Sequence, residues 1–278
     1  MSRRIGLFGS IVAVGLCVTA CSSSPSASPS SSPSPSRATP SAVILSATRT
    51  SLAQSSADIG MHVNATVGAR SVGIAATGTA DLANSAMQLA MTVQGVPQLT
   101  GASLSVVVVD GTTYLSYPGI STALPGKTWV SQPTSASNSS GLQVSNVADM
   151  LRILAAKGAT VTKVGVGAIG STPVTAYNVS ISPSLIAGQS STLGVPQADL
   201  AEVQQILGSS GVTFKVYVNP TGQLRRLTLH MVIPASSSSP AVQESVVVDF
   251  TNYGTPVSVT APPSNQVASL QQLQAVAA

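Results

Sequence analysis

Charged residues make up only 7% of this 278-residue chain and aromatic residues only 3%. Twelve Lys and Arg stand against eight Asp and Glu, a formal net charge of +4. Arg3 and Arg4 account for two of the basic residues, and without them the balance is ten against eight, or +2. Arg225-Arg226 is the only other adjacent basic pair. The Lys/Arg clusters that neutralise phosphates are missing, which excludes a nucleic-acid partner. Catalytic groups are as scarce. His62 and His230 are the only histidines, both on the polar phase of their segments, and no third histidine or spare cysteine joins them as metal ligands. Serines abound, but no Gly-x-Ser-x-Gly elbow occurs, and nothing nominates a carboxylate pair. The expectation is a non-enzyme with no metal and no cofactor.

Cysteine is limited to Cys17 and Cys21, and their position says what they do. Arg3 and Arg4 precede about fourteen apolar or small residues, Ile5 to Val18, and then Thr19-Ala20-Cys21. A basic start, a short apolar run and small residues before a cut site form an export signal. The run falls short of the roughly 20 residues a membrane-spanning helix needs. The cysteine at the cut site makes the stretch look like a bacterial lipobox. Residues 1–20 are then a signal peptide, and Cys21 is the lipidated mature N-terminus, which holds the protein on the extracellular face of the cell membrane. Cys17 leaves with the signal, so no thiol remains for a disulfide, a zinc cluster or a nucleophile. Residues 21–40 continue as a Ser/Pro-rich tether with almost nothing to bury. Extended as polyproline, its 19 or so residues after the cysteine reach roughly 60 Å.

Residues 41–265 carry the folded domain. A helix is expected from Ser41, as cap, to about Ala57. Strand patterns follow: Met61, Val63, Ala65 and Val67 alternate with polar neighbours, as do Val72, Ile74 and Ala76, and Met87, Leu89, Met91 and Val93. Leu104 to Val109 is apolar at almost every position, the signature of a central strand, and Asp110-Gly111 marks a tight hairpin into Thr112–Tyr117. Asn146 with Asp149 resembles a capping box ahead of a helical face of Val147, Met150, Leu151 and Leu154. A second series of strands is expected over 159–166, 172–181, 212–219, 223–233, 241–250 and 256–261, with a helix at Pro196–Leu207. Residues 266–278 form a C-terminal tail, a weak helix. The order is not strand–helix alternation. It predicts an α+β fold, a single curled antiparallel sheet of about 10–11 strands with helices gathered on one face.

At this level the chain resembles the actinobacterial LppX/LprAFG lipoproteins, a half-barrel group related to the LolA carriers. The resemblance rests on the lipobox and tether, Val109-Asp110-Gly111-Thr112-Thr113-Tyr114, Gly126-Lys127-Thr128-Trp129-Val130, and the helix from Val147. It extends through Val161–Gly165, Ile169–Tyr177, Val216–Asn219, Gly222–Leu227 and Asp249–Val257. It implies a half-barrel whose concave face, covered by helices, encloses an apolar cavity for the acyl chains of lipids or lipoglycans. Each buried methylene is worth about 0.8 kcal/mol, so a sixteen-carbon chain represents roughly 13 kcal/mol before ordering costs. The candidate lining residues are Met87, Leu89, Met91, Val106, Val108, Met150, Leu151 and Leu154. The expected function is acyl-lipid binding, and lipid transport, by an anchored envelope lipoprotein. The alternative is a structural or adaptor lipoprotein that binds a wall component or a partner protein. Trp129 is expected to anchor packing, and Arg225-Arg226 to sit on a solvated hairpin, with contact to a lipid phosphate at the cavity mouth as the alternative.

Overall fold

The computed structural model describes residues 38–97, 101–134, 150–151, 154, 158–188, 211–233, 235 and 241–277. The expected signal, Cys21, nearly all of the tether, the Asn146–Asp149 box and the Pro196–Leu207 helix lie outside these residues. The first helix, α1 (Pro40–Leu52), is capped by Thr39 and not by Ser41. The Thr39 hydroxyl accepts from the Ala42 amide at 3.3 Å, and Pro40 suits the first turn. The helix stops short of Ala57 because Ser55 adopts a positive φ of 63° and Ser56 opens a strand.

Twelve strands among the described residues form one open, curled sheet. They are β1 (Ser56–Val67), β2 (Arg70–Asp81), β3 (Ala86–Gln94), β4 (Ser103–Val109), β5 (Thr112–Ser116) and β6 (Trp129–Pro133). The second set is β7 (Thr160–Ile169), β8 (Thr172–Ile181), β9 (Val212–Val218), β10 (Leu224–Ile233), β11 (Val242–Thr251) and β12 (Val267–Ser269). Short helices α2 (Gly119–Ala123), α3 (Pro183–Gly188) and α4 (Leu270–Ala277) complete the description, and Met150, Leu151 and Leu154 are helical too. The spatial order is β12-β6-β5-β4-β3-β2-β1-β11-β10-β9-β8-β7. The chain therefore lays a meander outward from β1, crosses to the far edge at β7, and returns to pair β11 with β1.

Three details depart from expectation. The sheet has twelve strands, not 10–11, and β12 runs parallel to β6, Val267 beside Trp129, while all other pairs are antiparallel. Residues 256–261 form no ladder: Pro256 has no N–H to contribute, and Pro262 and Pro263 follow. The helix expected over the C-terminal tail begins only at Leu270, after the 267–269 strand. Elsewhere the local chemistry reads as written. Asp110 and Gly111 both take positive φ, 51° and 67°, as a two-residue hairpin requires.

Strand parity sorts the side chains. Odd positions of β1, β3, β8 and β10 share one face with even positions of β2, β4, β9 and β11. The buried cluster lies on that face and takes in Ile44 and Ala47 of α1 as well as Met150, Leu151 and Leu154. The opposite face carries polar partners: Arg226 forks onto Asp249 at 2.6 and 2.8 Å, and Lys215 lies over Tyr217. His62 and His230 are on this outer face and exposed. Among the described residues no group of three His, Cys, Asp or Glu is placed to hold a metal, and no helix is long and apolar enough to cross a membrane.

Candidate apolar binding face

The register assembles the apolar face rung by rung. One rung reads Tyr177, Val216, Leu227, Val248, Met61, Ala76, Met91 and Leu104, across eight neighbouring strands. At about 4.8 Å per strand it spans roughly 34 Å. The next rung toward one end of β1 contains Phe250, Ile59, Gly78, Leu89, Val106 and Leu115. No charged side chain interrupts either sequence of positions.

The eight candidate residues come together here. Met87, Leu89 and Met91 pair across to Val108, Val106 and Leu104 on one side, and to Ala80, Gly78 and Ala76 on the other. Met87, Leu89, Val108, Met150, Leu151 and Leu154 belong to the buried cluster, and Met91 and Val106 pack against it half-buried. Strand parity located Met87, Leu89 and Met91 from the sequence, and helical spacing located Met150, Leu151 and Leu154. The stripe of small residues on β2 that separates β3 from β1 became visible only with the register.

Burial along the face is graded. Ile59, Ala80, Met87, Val248 and Phe250 are buried, whereas Met61, Val63, Met91, Val106 and Met231 are only partly so. Met61 and Met91 flank Ala76, so two flexible thioether chains border one small residue. Methionine at such a position fills irregular apolar shapes that a branched side chain does not. The helix α1 lies against β7 and β10.

A polar knot sits at the well-buried end, where sequence reading placed only a solvated hairpin. The Ser51 hydroxyl of α1 accepts from the Leu224 amide at 2.9 Å, and the Tyr253 hydroxyl donates to the Leu224 carbonyl at 2.8 Å. Tyr253 stacks on Phe250, ring centres 6.3 Å apart. Burial pushes the Tyr253 hydroxyl well above its ordinary value of 10.0, while the Ser51 hydroxyl and the Arg225 charge pull weakly the other way. A raised value means that folding favours the neutral phenol. The stabilisation is intact below the unfolded value near 10 and is lost as pH rises beyond it. Tyr253→Phe is expected to cost about 1–2 kcal/mol near neutral pH, because the buried Leu224 carbonyl loses its donor. It should also flatten the fall in stability above pH 10.0; urea unfolding at pH 8 and above pH 10 checks both.

No family model matches this chain, and no curated protein matches it significantly. Solved structures similar to it include LprF from Mycobacterium bovis, at 15% identity and a TM-score of 0.43, covering 80% of this chain and 96% of that one. Lipoprotein LppX of Mycobacterium tuberculosis is also 15% identical, with a TM-score of 0.45, covering 78% and 98%. A putative outer-membrane lipoprotein-sorting protein domain from Vibrio parahaemolyticus gives 7% identity and a TM-score of 0.25 over 75% and 90%. The first two are the lipoproteins the sequence resembled. Likeness at these scores decides no function.

Proposed function

We propose that the protein is a lipoprotein anchored through Cys21 to the outer face of the cell membrane, and that its apolar sheet face binds an acyl lipid or lipoglycan, which it carries between envelope sites. The observation that carries this reading is the partly exposed stretch Met61, Val63, Met91, Val106 and Met231 on an otherwise buried apolar face. A fold whose own side chains left no room would bury these positions as thoroughly as Phe250 or Val248. An acyl chain laid along the concave side, beneath the helical turn of Met150, Leu151 and Leu154, removes that surface from water at about 25 cal/mol per Å². The chemistry needs no acid, base or metal, which suits a chain with so few charges.

Native mass spectrometry of the protein purified from its own envelope tests the reading. Bound acyl lipid should co-purify, and Met91→Glu should reduce its retention at least tenfold while the fold survives, since Met91 is half-exposed. Protein that carries no lipid under these conditions would favour an adaptor. The strand β7, at the edge of the sheet among the described residues and with Val164 and Val166 exposed, would then be the natural docking edge.

A further inference from the structure

Two buried side-chain atoms among the described residues have no hydrogen-bond partner, Thr48 Oγ1 and Arg225 Nε. Both belong to the same place. The strand β10 holds one residue too many for its partner: Leu224 pairs with Val218 and Arg226 with Tyr217, which leaves Arg225 in a bulge. Thr48 lies on α1 one turn before Ser51, whose hydroxyl takes the Leu224 amide. The orphaned groups thus bracket one hydrogen-bonded contact between α1 and β10. Bulges commonly re-aim a side chain toward a site.

Among the described residues no acid forms an ion pair with the Arg225 guanidinium. Asp249 is held by Arg226, Asp58 accepts from Asn252 at 2.7 Å, and Asp81 is taken by Ala83 and Asn84. Thr48 is fully buried, yet its hydroxyl bonds to nothing. Unpartnered buried polar groups are rare in folded proteins, and a bound ion is among the standard reasons for them. A guanidinium and a hydroxyl on either side of the contact between α1 and β10 offer donors suited to the oxygens of a carboxylate or phosphate.

We propose that Arg225 and Thr48 form an oxyanion site, for a carboxylate or phosphate group, at the bulge of β10. The bulge adjoins Arg226, whose partner Asp249 immediately precedes Phe250 on the rung that continues through Ile59, Gly78, Leu89 and Val106. An anionic head held there leaves its acyl chain on the apolar rung; in that form the site rests on the acyl-lipid reading above.

The test uses the full chain in nonionic micelles, offered equimolar palmitate and hexadecanol, with native mass spectrometry as readout. A parallel arm measures thermal unfolding with and without inorganic phosphate. Wild type should retain palmitate over hexadecanol at least tenfold, and Arg225→Gln should bring the ratio to about one. Thr48→Val, apolar and similar in shape, should lose at least threefold of the preference, and it serves where Arg225→Gln fails to fold. Equal retention of the two probes by wild type, with no shift by phosphate, overturns the oxyanion site and leaves the acyl-lipid reading standing. Neither probe retained, with a phosphate shift that Arg225→Gln abolishes, upholds the site and removes the lipid. Failure in every arm removes both.

Discussion

Gly78→Val should destabilise the domain by about 3 kcal/mol or more, far beyond what one added side chain costs on an ordinary strand. A Cβ at Gly78 would stand 1.9 Å from the Gln88 carbonyl oxygen and 2.9 Å from Leu89 Cα. These are backbone atoms of the paired strand β3, so no rotamer change relieves the overlap. The backbone of β2 is turned at this point so that the space a side chain needs is filled by β3. A glycine inside a strand commonly marks such a close approach or a bend. Curvature of the sheet between β2 and β3 depends on it, and with it the placement of Leu89 and Met91. Gly167→Val on β7 is the control: Gly167 is exposed, with nothing within 4 Å of its Cβ position, and should change stability by no more than about 0.5 kcal/mol. Urea unfolding of the two variants against wild type decides it. Similar stabilities for all three would mean that the sheet can straighten without loss.

Cys21→Ser is expected to abolish covalent lipid altogether, while Cys17→Ser leaves it unchanged. In the proposed anchor only a thiol at the cut site takes the diacylglyceryl group, and Cys17 lies four residues before Cys21, within the apolar run. A single acyl chain gives marginal, reversible membrane binding, so stable anchoring takes two or more chains. The diacylglyceryl group supplies two. Metabolic labelling with palmitate, followed by intact mass, separates the variants. Label on the Cys21→Ser protein would remove the anchor from the proposed function.

The sheet was legible wherever a two-residue period met turn chemistry. Asp110-Gly111 and the Asn219–Gly222 turn needed no tertiary help, and Asn219 holds its own loop through the Gln223 amide at 2.8 Å. The common face of Met87, Leu89 and Met91 followed from parity, whereas Leu104 to Val109, apolar at almost every position, needed the register to put Val106 and Val108 on it. What escaped was decided by partners distant in sequence. Residues 267–269 are too short to read as a strand, and β12 is placed by contacts such as Lys127 Nζ to the Asn265 carbonyl at 2.9 Å and Thr128 to Gln266. The bulge at Arg225 was equally hidden. Two adjacent arginines look alike in the sequence, yet one forks onto Asp249 and the other leaves its buried Nε without a hydrogen bond. Residues 256–261 misled because extended, proline-flanked chain resembles a strand until its ladder is sought.

The two borders of the first meander are completed from the same late stretch of chain. β1 is closed by β11, with Asp58 beside Thr251, and β6 is closed by β12, with Trp129 beside Val267. While the chain is being made, β1 to β6 can form from local hairpins within microseconds. Both borders then stay bare until residues 242–269 arrive. Closing so long a loop adds only slowly growing entropy, but it delays folding, because non-local pairs must wait. The vulnerable period of this protein is therefore the synthesis between β6 and β11, while both borders wait for their partners. A chain that stops before β11 would present two unpaired strands and an uncovered apolar face, a species expected to aggregate and not to fold as a smaller domain.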